Sequence, residues 1–134
     1  ARIPLIITLI GCLLITINTP NKPSNWTPYT KNNVLQLEAS NTPYFIDVTA
    51  KWCLTCQTNK RFVLNTKKAH ALFKSKNLVL IRADWTNHDP SITELLTQFN
   101  QISIPTYIYF DGTQHLVFGD ILTNDILRKK LSNK

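Results

Sequence analysis

The stretch that most constrains this chain runs Tyr44-Phe45-Ile46-Asp47-Val48-Thr49-Ala50-Lys51-Trp52-Cys53-Leu54-Thr55-Cys56. Its first five residues form a nearly continuous apolar run of strand type, the pattern of a central strand covered on both faces. A short turn follows, and a Cys-x-x-Cys pair opens a helix expected to reach about Leu64. Two thiols one helical turn apart can close a disulfide and reopen it. Unpaired N–H groups and the dipole at the helix start favour Cys53 as thiolate, the attacking species in disulfide exchange. The rest of the chain reads as the scaffold that presents this pair.

Cysteine usage points the same way. Three cysteines in 134 residues are not a disulfide framework. Cys12 stands apart in an apolar run, so Cys53 and Cys56 read as a redox pair. Haem attachment needs His after the second cysteine, where Gln57 stands. A structural zinc site needs four ligands, and His70, His88 and His115 are too widely spaced to complete one. No metal and no cofactor is expected.

The length fits one domain. Lys and Arg number 15 against 8 Asp and Glu, a net charge of +7. Such a balance suits nucleic acid, anionic lipid or an acidic partner. Nucleic acid is set aside, because no motif for it appears and the basic residues are not interleaved with stacking aromatics.

The first segment, 1–17, is apolar and uncharged from Ile3 to Ile17. Fifteen helical residues cover about 22 Å, short of the roughly 30 Å hydrocarbon core. Part of a final transmembrane helix is the favoured reading, with a secretory signal or a lipoprotein signal at Cys12 as alternatives. All three put the remainder outside the cytoplasm. Residues 18–29 read as a linker, because Pro20, Pro23 and Pro28 resist helix. Trp26 and Tyr29 are either interfacial anchors or residues packed on the domain edge. The domain proper is expected over 30–134.

Within it, Thr30 is a candidate N-cap for a short helix through Ser40, and Thr66 for another over Lys67–Lys74. Leu78–Ala83 is a second apolar strand. Ser91-x-x-Glu94 has capping-box spacing ahead of a helix with Ile92, Leu95, Leu96 and Phe99 on one face. Thr106–Phe110 is a third strand, Asp111-Gly112 a hairpin turn and Gln114–Phe118 the return strand. Ile121, Leu122, Ile126, Leu127 and Leu131 mark a terminal amphipathic helix with a basic end. The two strands flanking the Cys-x-x-Cys helix should be parallel with a right-handed crossover. The last two are antiparallel. The fold class is therefore α/β, a mixed central sheet with helices on both faces.

Two features carry open readings. Asp47 is either an edge-facing carboxylate bonded to water or a desolvated proton acceptor beneath the second thiol. From Lys51 to Lys76 there are seven basic residues and no acidic one. These form either a solvated face or a positive collar that lowers the Cys53 pKa and attracts an acidic partner or lipid head groups.

Trp52-Cys53-Leu54-Thr55-Cys56, Asp47 six positions earlier and Ile104-Pro105-Thr106 before the hairpin resemble the thioredoxin fold. Adding Ala83-Asp84-Trp85-Thr86-Asn87 and Asp89-Pro90-x-Ile92-Thr93, the chain from about Trp26 resembles the C-terminal periplasmic domain of DsbD-type thiol:disulfide interchange proteins. The resemblance implies a cis Pro105 against the active disulfide; from the residues alone a trans edge-strand proline is the commoner form. It implies Cys53 as attacking and Cys56 as resolving thiol, with Asp47 taking the Cys56 proton. Ile104 and Pro105 would dock the partner segment, and Trp52 would cover the pair. It further implies an inner-membrane protein whose membrane domain hands electrons to this domain. They pass on to an N-terminal periplasmic domain, which reduces disulfide isomerases and cytochrome c maturation factors. A free-standing membrane-anchored reductase of the cytochrome c maturation type and a redox-inert thioredoxin-like binding module are the alternatives. Family members often carry an acid seven positions after the first cysteine, where this chain has Lys60; the redox tuning does not carry over.

Overall fold

The computed structural model describes residues 25–132. Its centre is β2, Tyr44–Thr49, in which all six residues are buried. β3, Val79–Asp84, pairs with it in parallel; β4, Thr106–Phe110, pairs on its other side antiparallel; and β5, His115–Gly119, completes the hairpin with β4. A further strand, β1, Trp26–Pro28, runs parallel to β3 at the opposite edge. The sheet order is β1-β3-β2-β4-β5, the mixed five-stranded arrangement of a thioredoxin fold.

Side chains alternate across β2 and so build two cores. Tyr44, Ile46 and Val48 pack with Val34 of helix α1 (Lys31–Ala39) and with Ile92, Leu95 and Leu96 of α4 (Pro90–Gln98). Phe45 faces the other layer. It packs with Val63 and Leu64 of the helical segment that follows the cysteines, with Ala69 and Phe73 of α3 (Lys67–Ser75), and with Leu127 and Leu131 of α5 (Asn124–Ser132). Helix α2 spans Leu54–Asn59 and continues as a π-helical turn over Lys60–Leu64. The sequence reads this segment as one helix, and the change to π register is visible only in three dimensions.

Thr30 and Thr66 cap their helices through the side-chain oxygen, as the sequence indicates. The start of α4 differs. Asp89, not Ser91, is its N-cap and accepts from the Ser91 and Ile92 amides. Pro90 explains the shift, because a ring with preset φ and no N–H suits the first helical position. The linker reading also needs correcting at its end. Trp26–Pro28 belongs to the sheet, and the Tyr29 amide donates to the Arg82 carbonyl at 2.9 Å. Pro28 is accommodated because β1 is an edge strand. The apolar run Ile3–Ile17, Cys12 and the linker before Asn25 lie outside the described residues. Among the described residues no helix is long and apolar enough to cross a membrane.

Candidate active site

The chain leaves β2 at Thr49 and turns through Ala50-Lys51-Trp52 before α2 begins. Three bonds hold the turn. The Cys53 amide donates to the Ala50 carbonyl at 3.2 Å, the Gln57 side-chain amide donates to the same oxygen at 2.8 Å, and the Lys51 amide donates to Thr86 Oγ1 at 2.9 Å. Cys53 is the N-cap of α2, and its Sγ accepts from the Cys56 amide at 3.2 Å. Cys53 and Cys56 are joined in a disulfide, with their Cα atoms 5.3 Å apart.

The two sulfurs are not equivalent. Cys53 keeps 8% of its surface exposed and Cys56 1%, so Cys53 is the sulfur open to solvent. The small cluster around them contains Ala50, with Ile104 packed against it. The Ile104–Pro105 peptide is cis, and Pro105 is buried. Leu54 and Ile102 stand out at 80% and 95% exposure, an apolar margin on the Cys-x-x-Cys turn and on the loop that ends in Pro105.

Trp52 is tied to the loop that follows β3. Its indole N–H donates to the Thr86 carbonyl at 3.0 Å, and its ring stacks on His88 at 5.8 Å. More than half of it is exposed. Thr86 thereby serves both Lys51 and Trp52. It is itself held by Asp84, whose carboxyl the Thr86 hydroxyl and amide keep below the usual value.

Asp47 is fully buried on the α2 side of the sheet. Its Oδ2 accepts from Arg82 Nε at 3.1 Å, across directly paired positions of β2 and β3. Its Oδ1 has no hydrogen-bond partner. Burial pushes the carboxyl up, while the charges of Arg82 and Lys60 pull it down. A fully enclosed carboxylate paired with arginine is not the edge-facing, water-bonded group of the first reading, and none of its hydrogen bonds reaches a cysteine. Lys60 is half-buried; desolvation lowers its pKa, with Asp47 opposing. Its electrostatic neighbours are Asp47, Arg82 and Asp84.

Sequence reasoning passed over Arg82, Asn59 and Gly119. A lone charge inside the apolar run Leu78–Ala83 was the available signal for Arg82. Asn59 is buried in α2 and donates to Tyr107 Oη at 2.8 Å and to the Asp120 carbonyl at 3.0 Å, tying the cysteine helix to the β5 exit. Gly119 has no local signal, since its role is close approach to Pro105.

Comparison with known proteins agrees with this geometry. A thioredoxin-like family model matches residues 25–112. The thiol:disulfide interchange protein DsbD of Yersinia pestis is 28% identical over 75 residues, covering 56% of this chain and 12% of that protein. The Escherichia coli K12 protein of the same name is 28% identical over 80 residues, covering 60% and 14%. The alignments therefore take in only a small part of these relatives' length. Among solved structures, the C-terminal domain of DsbD from Neisseria meningitidis in the reduced form superposes with a TM-score of 0.63 at 14% identity, over 78% of this chain and 96% of that one. Trxlp from Edwardsiella tarda gives 0.61 at 20% identity, over 81% and 99%. With the family model spanning the sheet from β1 to the hairpin turn, and the cysteine pair at the start of α2, the chain belongs to the thioredoxin-like family.

Proposed function

We propose that this domain is a thiol:disulfide oxidoreductase of the DsbD type. In this reading it takes electrons from a membrane electron-transport domain and passes them to protein disulfides in the periplasm. The observation that carries the reading is the Cys53–Cys56 disulfide at the start of α2, with Cys53 the more exposed sulfur and Ile104–Pro105 beside the pair. The similarity to DsbD proteins supports it. The apolar run Ile3–Ile17 supplies the membrane anchor, and residues 18–25 tether the domain to it.

The described state is the oxidised one. Two electrons and two protons from a donor dithiol convert it to the dithiol. Cys53 then attacks the partner disulfide as thiolate. One partner sulfur leaves as thiolate and takes up a proton, and a mixed disulfide remains. Cys56 loses its proton, attacks Cys53 Sγ and expels the second partner thiol. The Cys53–Cys56 bond is restored and the partner is reduced by two electrons. Asp47 accepts the Cys56 proton in this scheme. Ile104 and Pro105 bind the partner's extended segment by strand-like contacts.

The test is a trapping experiment. The reduced Cys56→Ala chain is mixed with an oxidised N-terminal periplasmic domain of a DsbD-type protein and run on a non-reducing gel. A stable mixed disulfide is expected, and none with Cys53→Ala. No adduct from Cys56→Ala overturns the assignment. Failure of either thiol to exchange with glutathione identifies a redox-inert binding module instead.

A further inference from the structure

We propose that Trp26 is a positioning residue for the redox site, its indole face holding the Arg82 guanidinium against the Asp47 carboxylate. The inference deepens the reading above, in which Asp47 handles the Cys56 proton.

The guanidinium of Arg82 is weakly attached for a group in such a place. Arginine carries five N–H donors, and a carboxylate can accept two of them side by side. Here only Nε reaches Asp47, at 3.1 Å, while Nη2 is buried without a partner and Asp47 Oδ1 likewise. A single hydrogen bond leaves the plane free to swing about its contact. A second contact is the Trp26 ring, 4.3 Å from the guanidinium carbon, within the range of a cation over an aromatic face. A quarter of the Arg82 side-chain surface is exposed, so a way out to water is open. The ring closes the guanidinium against Asp47.

Packing alone does not explain the indole. Its ring meets Phe45 edge-on at 6.2 Å and Phe73 at 6.0 Å, which fixes its plane. Its own N–H is buried without a partner, a cost that an aliphatic residue or phenylalanine would avoid. Trp26 also opens β1, paired with Leu80 two residues from Arg82. Where the chain enters the sheet, it therefore touches the ion pair beneath the cysteine helix.

The charged and titratable groups facing Asp47 are Arg82 from β3, Lys60 from the π turn of α2 and Tyr107 from β4, with Asp84 acting on Lys60. If the Trp26 face is lost, Arg82 turns toward solvent and Lys60 is left as the facing cation. The Asp47 carboxyl then becomes harder to ionise.

The experiment follows the Asp47 carboxyl carbon by NMR in the full chain in detergent micelles, its signal identified by Asp47→Asn. Trp26→Leu keeps an apolar side chain but has no π face, and is expected to raise the midpoint by about half to one pH unit. Trp26→Phe restores most of the original value. Arg82→Met raises the midpoint further, and adding Trp26→Leu to it changes nothing more. An unmoved midpoint in Trp26→Leu, or a full extra shift on top of Arg82→Met, overturns the proposal and reduces Trp26 to a packing residue. Should Trp26→Leu not fold, Arg82→Lys takes its place: removing the flat stacking group while keeping charge must also raise the midpoint, and an unchanged value overturns the role. The carboxyl titration does not depend on exchange activity. A chain that fails to exchange thiols defeats the redox reading, and one that exchanges with an unmoved midpoint defeats only the Trp26 role.

Discussion

The backbone of Gly119 lies against the carbonyl of Pro105, so closely that a Cβ at Gly119 would stand 2.7 Å from that oxygen. The contact joins the end of β5 to the residue that follows Ile104, which packs on the cysteine cluster, and the Asp120 amide reaches the same oxygen at 3.4 Å. Backbone on both sides leaves no flexible atom to give way. Gly119→Ala is expected to destabilise the fold by about 1–3 kcal/mol, the usual range for overpacking. It should also slow exchange, because Ile104 and Pro105 move with the strand. Urea melts and the rate of reduction by a dithiol check the two parts, and an unchanged rate in a destabilised protein would separate Pro105 from partner docking.

Asp47 gives a pH-dependent prediction. Burial pushes its folded midpoint above the ordinary value, despite Arg82 and Lys60. In the unfolded chain it ionises near the ordinary aspartate value, about 3.9. Between those two midpoints the native state keeps a proton that the unfolded state has lost. The stability from this group is therefore full at low pH and lost as pH rises through the folded midpoint. Asp47→Asn should gain on the native chain as pH rises from about 3.9 through the raised folded midpoint. Denaturant melts across that range test it, and a constant difference would contradict a raised midpoint.

At the far end of β2, Tyr44 Oη donates to Glu38 Oε1 at 2.7 Å, and His115 Nε2 lies 2.9 Å from both atoms. This group ties α1 to the β4–β5 hairpin. Tyr44→Phe is expected to cost about 1–3 kcal/mol, as for a hydrogen bond to a charged acceptor. Because the cysteines follow the opposite end of the strand, the exchange rate should stay as it is. A melt and a rate measurement on the same sample decide the matter.

The capping of α4 offers a local test. Asp89→Ala removes the acceptor for two amides and should cost about 1 kcal/mol. Ser91→Ala removes no cap and should cost under half as much. The reverse order would restore the capping box that Ser91 and Glu94 imply by spacing. Glu94 instead pairs with Lys31 at 2.6 Å. Both side chains of that pair are more than half exposed, so Glu94→Ala should change stability by less than about 1 kcal/mol.

Much of this molecule is written in short-range pattern. A continuous apolar run marks β2, threonines mark the starts of α1 and α3, and a Cys-x-x-Cys pair at a strand exit states its chemistry in five residues. Each of these signals acts between residues within a turn or a strand length, where chain geometry alone sets the spacing. What surrounds the cysteine helix is different in kind. Asp47 meets Arg82 across 35 residues because a parallel crossover brings two strands into register. Trp26 reaches Arg82 from a segment whose prolines read as linker, since an edge strand needs only the hydrogen bonds of its neighbour. The Trp52 ring turns to the Thr86 loop, and Gly119 presses on Pro105, through contacts that no local spacing encodes. Local order follows from neighbours in the chain. The environment of the disulfide follows from which distant backbones the sheet sets side by side, and only the folded structure decides that.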